Sequence, residues 1–192
     1  QRGWQLVGKE GIAAALKLAR VSFTHLIAQT FIGRRSKLRW FTHLMLSWGC
    51  TLAAAVTFPL VFGWIHFGTL PDDPTQYVPY IFGFPTVSFS VHSLLAWVTF
   101  HILDIAAVMV IVGVALSLWR RLRDEGAQAV QSFAMDFVPL IMLFAISLTG
   151  IALTVSNVYF DGIFYDFLSI IHAITVISAL IYLPFGKFFH IF

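Results

Sequence analysis

Four apolar stretches dominate this chain, and all twelve of its lysines and arginines fall between or beyond them, on one side of the membrane they would cross. The stretches run over about 40–67, 89–119, 137–158 and 164–185. Each has the length, roughly 20 residues or more, that a helix needs to cross about 30 Å of hydrocarbon. Composition agrees: 59% of residues are hydrophobic and 11% charged, and a water-soluble fold of 192 residues could not bury twenty Phe and six Trp. Soluble domains carry about a quarter charged residues. The expected fold is therefore an all-α membrane protein, a four-transmembrane-helix bundle made antiparallel by its short connections.

The bundle is preceded by a segment of another kind. Over residues 11–32, Ile12, Leu16, Ala19, Phe23, Leu26 and Ile27 recur at the helical period. Lys17, Arg20 and His25 interrupt the same stretch. They argue for an amphipathic helix lying in the interface, neither a span nor a signal peptide. With the basic cluster Arg34, Arg35, Lys37 and Arg39, this divides the chain into an interfacial region, 1–35, and a transmembrane domain, 36–192.

The loop between the first two spans holds Pro71, Asp72, Asp73, Pro74 and Pro79 without a Lys or Arg. Arg120, Arg121 and Arg123 open the next loop, Asp161 and Asp166 mark the last, and Lys187 closes the fourth span. The positive-inside rule then puts both ends of the chain in the cytoplasm and the acidic loops outside a cell membrane. A start at Gln1 and a stop two residues after His190 suit a piece of a longer polypeptide. The one cysteine, Cys50, leaves no disulfide framework and no cysteine-based metal or iron–sulfur site. No phosphate loop, catalytic triad or nucleic-acid patch is present. Pro59 and Pro139 are expected to kink their helices.

The seven histidines carry the chemistry. Ionisable side chains in spans are costly and usually face an interior site. His25 lies on the interfacial segment, and His66 and His92 near the outer ends of their spans, where histidine is common. His172 and His190 are separated by five helical turns, so they share a face about 27 Å apart along the axis. Two stacked histidines suit two haems placed one above the other, with neutral imidazole as axial ligand. His43, beside Arg39 near the cytoplasmic surface, could face His190. For the outer iron, His101 lies nineteen residues before Arg120, at a depth that matches His172, and is preferred to His92 on the opposite face. Asp104, one turn from His101, is either a partner for a histidine N–H or a group that takes quinol protons.

Three stretches together, RSKLRWFTHLMLSWG (Arg35 to Gly49), DFVPLIMLFAISLTG (Asp136 to Gly150) and IIHAITVISALIYLPFGKFFHIF (Ile170 to Phe192), resemble the gamma-subunit family of respiratory nitrate reductase. The resemblance is closest to the membrane cytochromes b related to heterodisulfide reductase, and covers most of 35–192. It implies bis-histidine b haems, with His43 and His190 on the cytoplasmic-side iron and His172 on the outer one. It also implies a membrane quinone as substrate and electron exchange with a cytoplasmic iron–sulfur subunit or fused domain. The nitrate reductase pattern has a second histidine ten residues after the first, where this chain has Ala53. The outer iron then takes a ligand from another helix, His101 by choice, or the protein keeps one haem. Two haems are expected. The rival readings are a haem-free membrane anchor and a proton-coupled transporter using His101, Asp104 and Asp136. Four spans without an inverted repeat fall short of the usual transporter architecture.

Overall fold

The computed structural model describes residues 2–34, 36–123 and 136–182. His190, with Pro184, Gly186 and Lys187, lies outside the described residues. In lipid a backbone must satisfy its own hydrogen bonds, so apolar stretches of this length become helices. Four helices are long and apolar enough to cross a membrane: α3 (Lys37–Val61), α4 (Leu94–Arg123), α5 (Val138–Tyr159) and α6 (Tyr165–Tyr182). The chain is a helical, multi-pass membrane protein.

The chain divides into two compact units, Gln1–Leu44 and Met45–Phe192. In the first unit, α1 (Arg2–Ser22) starts earlier than the expected 11–32 helix and gives way to a π-helical turn, Phe23–Ile27. The hydroxyl of Thr24 donates back to the carbonyls of Arg20 and Val21, both at 3.0 Å, and such back-bonding distorts a helix. Gln29 then takes a left-handed conformation, φ 48°, and leads into a single short helical turn, α2 (Thr30–Gly33). The boundary between the units falls inside α3, between Leu44 and Met45. Two hydrogen bonds tie the first turns of α3 to the preceding segment. Trp40 donates its indole N–H to Ala28 O at 2.7 Å, and His43 Nδ1 meets Gln29 Oε1 at 2.8 Å.

In the second unit, α4 packs against α3 and α5, and α5 also packs against α6. Glycines bring α3 and α4 close. A β-carbon at Gly49 would lie 2.7 Å from Val110 Cγ2 and 3.0 Å from Ala106 O, and one at Gly113 would lie 2.7 Å from Leu46 Cγ. Val110, Val114 and Leu140 form the buried core there, with Leu46, Cys50, Leu118 and Leu143 against them. Two polar ties hold α4 and α5 in one antiparallel register. Thr154 Oγ1 donates to Asp104 Oδ1 at 2.8 Å, and an Arg121–Asp136 ion pair at 3.6 Å lies at the other end. The rest of the helical surface is apolar and open, and α6 buries no residue at all, as suits helices bathed in lipid. Pro139 sits in the first turn of α5, where a missing N–H costs nothing, so it starts the helix and does not kink it.

The connection from α3 to α4 departs most from expectation. Helix α3 stops at Val61 and Gly63 turns the chain with φ 70°, so the tail of the expected first span is not helical. The chain there forms a four-stranded antiparallel sheet: β1 (Ile65–Thr69), β2 (Gln76–Ile81), β3 (Phe84–Pro85) and β4 (Phe89–Ser90). Central β2 pairs with β1 on one edge and with β3 and β4 on the other. Pro79 makes β2 read as loop, but its carbonyl is fully used, accepting from Thr86 N at 2.9 Å and Thr86 Oγ1 at 2.8 Å. Phe67 and Tyr77 set the sheet against Phe100 of α4, with ring centroids 5.3 and 4.9 Å apart.

In the β1–β2 connection, next to the Thr69↔Tyr77 pair, Asp73 Oδ1 accepts from Thr75 Oγ1 at 2.6 Å and Thr75 N at 3.0 Å. The hydroxyl first, then the amide, hold this carboxyl below the usual aspartate range. A depressed carboxyl contributes stability above its unfolded pKa, and that contribution is lost as pH falls through the folded value. Asp73 should therefore titrate below a free aspartate in a carboxyl-carbon NMR titration. In Thr75→Val, which deletes the hydroxyl, the inflection should move upward; an unmoved inflection would refute the cause.

Candidate functional site

The functional question turns on which nitrogen of each intramembrane histidine is free. On α6, His172 Nδ1 lies 2.8 Å from Thr149 Oγ1 of α5. The same hydroxyl stands 2.8 Å from Ala145 O and 3.1 Å from Ile146 O. When it donates to either carbonyl it accepts from Nδ1–H, the tautomer in which Nε2 of His172 carries the lone pair. The ring rests against α5 where Gly150 has no side chain; a β-carbon there would stand 3.5 Å from His172 Cε1.

His43 shows the same polarity within its own unit. The Gln29 amide oxygen can only accept, so Nδ1 donates and Nε2 is again the open nitrogen. Gln29 is buried, and its left-handed backbone aims the side chain at the start of α3. One residue earlier, the buried Thr42 hydroxyl has no hydrogen-bond partner among the described residues. On α4, His101 Nδ1 donates to Trp97 O at 2.9 Å, and the imidazole stacks on the Trp97 indole at 4.9 Å. In these tautomers all three histidines present Nε2, the arrangement in which an N–H bond orients an imidazole and raises its basicity as a metal ligand.

The structure does not bring His101 and His172 together. Thr149 meets His172 while Thr154 meets Asp104. Those two threonines are about 7.5 Å apart along α5, and His101 stands about 4.5 Å beyond Asp104 towards the sheet. His101 is therefore about 12 Å nearer the sheet end than His172, although counting residues from Arg120 puts them level. An iron bound by both would need two facing rings at one depth. The count fails because α4 begins well beyond the end of α5, and the register between helices cannot be read from either one alone.

Among the described residues Asp104 pairs with Thr154 and not with a histidine. Thr154→Val removes the one donor to this part-buried carboxylate among the described residues, a loss of about 1 kcal/mol or more. Thr154→Ser keeps the hydroxyl and should stay near wild type in denaturant unfolding of the detergent-solubilised protein. Equal stability of the two variants would show the bond to be idle.

The remaining histidines are placed as structure. His66 stacks in parallel on Tyr80, its direct cross-strand neighbour, at 4.9 Å. His92 sits in the turn before α4, its N–H on Ser90 Oγ, and His25 tilts against Phe31 in the first unit. Both His66 and His92 lie off the helices on which hydropathy places them. The residues that sequence reasoning missed are Gln29, Thr149 and Thr154. The Thr149–Gly150 pair, a small polar residue beside a bare one, was the only local signal for a histidine seat on α5. Among the described residues no group of three or more His, Cys, Asp or Glu gathers at one point. Comparison of the chain with family models, with curated proteins and with solved structures gives no match.

Proposed function

We propose that this chain is the cytochrome b-type membrane subunit of a quinone-linked redox complex. One observation carries the reading: His172 is held by Nδ1 against Thr149 over Gly150, with Nε2 left as a ligand. The same polarity at His43 supports a second ligand position, and the unpartnered Thr42 hydroxyl beside it is a donor that a haem propionate would satisfy. The resemblance of 35–192 to the nitrate reductase gamma-subunit family adds His190 opposite His43. When bound, haem b supplies one-electron transfer between a two-electron quinone and an iron–sulfur partner.

In this reading both ends of the chain are cytoplasmic and the sheet is external, following the basic residues. His172 and His101 stand at different depths, so they do separate work. His172 would hold the iron, while Asp104 would serve the quinone, with Oδ1 engaged by Thr154 and Oδ2 left to take a proton. His101, three residues away, is the neighbouring imidazole through which that proton leaves. The basic run that includes Arg39 and, separately, Arg120–Arg123 each suit docking of an iron–sulfur subunit.

A dithionite-reduced minus oxidised spectrum of the purified protein tests the proposal. A b-type α band is expected; its absence from protein purified from a haem-replete host would sink the reading and leave a haem-free anchor.

A further inference from the structure

The sheet between α3 and α4 is polarised along its strands. The Ile65↔Ile81 pairing and the 2.7 Å bond from Phe82 N to Trp64 O bring the Phe82–Gly83 turn back beside the end of α3. Asp72 and Asp73, the acidic residues of this connection, lie at the other end of the β1–β2 hairpin. Around the Phe82–Gly83 turn the surface is aromatic and open: Phe62, Phe82 and Phe84 are 61%, 68% and 75% exposed. These rings continue those of α3. Phe58 and Phe62 stack at 6.2 Å, Phe62 and Trp64 at 5.5 Å, and Trp64 and Phe82 pack at 5.9 Å. No Lys, Arg, Asp or Glu occurs from Gly49 to Leu70 or from Thr75 to Leu103.

We infer that the Phe82–Gly83 turn and its aromatic neighbours are seated in the lipid interface, at the boundary of headgroups and acyl chains, as an extension of the lipid-facing surface of α3. Three features carry this. The ladder is continuous with a span whose apolar face meets lipid. It carries no charge: Trp64 is of the kind that gathers at the membrane–water boundary, and Phe is a residue that interfacial segments bury at the acyl boundary. The carboxylates of the sheet, Asp72 and Asp73, are kept at the other end of its strands, away from these rings. An exposed aromatic patch of this kind on a water-facing sheet would be an association hazard; against lipid it anchors the end of α3 and holds the sheet against Phe100.

Nitroxide labels report this directly. In a Cys50→Ala background, Phe82→Cys and Phe84→Cys are each spin-labelled, with Asp72→Cys as the water-side reference, in phosphatidylcholine–phosphatidylglycerol vesicles. Collisions with oxygen, which partitions into lipid, are compared with collisions with a water-soluble nickel chelate. The oxygen-to-nickel ratio at Phe82 and Phe84 should be severalfold above that at Asp72. A ratio equal to that at Asp72 overturns the inference, because the turn is then in water. Protection from both reagents overturns it too, because the patch is then covered by protein, such as a second copy of this chain.

Discussion

His172→Ala should remove one b-haem contribution from the reduced-minus-oxidised spectrum and leave any signal that depends on His43. Thr149 of the neighbouring helix holds Nδ1–H of this imidazole, and Gly150 leaves room for the ring. Removing the side chain takes away an axial ligand, and the iron site loses its haem or changes spin state. Thr149→Val tests the same geometry more gently. It keeps the ligand and deletes the acceptor on Nδ1, so the haem should stay while its midpoint potential shifts, since hydrogen bonding to the far nitrogen tunes ligand basicity. Loss of the Nδ1 partner typically costs about 10–100-fold in metal affinity or activity. His66→Ala is the control: that ring stacks on Tyr80 in the sheet, and its loss should leave the spectrum as it is. An unchanged spectrum in His172→Ala would refute the assignment of His172 as a ligand.

Closing the α3–α4 contact with a side chain should have the largest effect on stability. At Gly49 an added β-carbon meets Val110 Cγ2 at 2.7 Å, Ala106 O at 3.0 Å and Val110 N at 3.2 Å. A valine rotamer can yield, but two of these atoms are backbone of α4 and cannot. At Gly113 the obstacles are Leu46 Cγ at 2.7 Å and Leu46 N at 3.1 Å. Relief requires the helices to move apart beside a core in which Val114 is 1% exposed, so the cost spreads to Val110, Val114 and Leu140. Gly49→Ala and Gly113→Ala should each destabilise by about 1–3 kcal/mol, the usual cost of overpacking. Bulkier Gly113→Leu should prevent stable folding. Small residues drive association between membrane helices by letting backbones approach, so the penalty is one of lost packing. Unfolding by denaturing detergent measures it, with Gly11→Ala as reference, because a β-carbon at Gly11 meets nothing within 4 Å. Wild-type stability of Gly49→Ala would show that the two helices approach less closely than these distances require.

The spans were legible because an uninterrupted apolar run of span length has one good conformation in lipid, and the second, third and fourth helices begin within a few residues of the expected bounds. The first span is shorter than its apolar run. Residues 62–67 are as apolar as the helix before them, and hydropathy does not distinguish lipid-facing helix from interfacial strand. The sheet was hidden for a related reason: prolines at 71, 74, 79 and 85 read as loop, while the partners that make Pro79 acceptable, Phe67 and Thr86, are set by pairing. Among the candidate ligands, residue type and position in the chain pointed to His43, His101 and His172, and Asp104 stood out as a carboxylate at span depth.

By itself, then, the sequence determined that this chain crosses a membrane as helices and which imidazoles those helices carry, because both follow from local composition and the helical period. Only the tertiary structure decided which nitrogen each imidazole leaves open, since Gln29 is fourteen residues from His43 and Thr149 twenty-three from His172. It also decided that His101 and His172 stand at different depths. That depends on how far each helix slides against its neighbour, which here is set by the Thr154–Asp104 and Thr149–His172 bonds between helices.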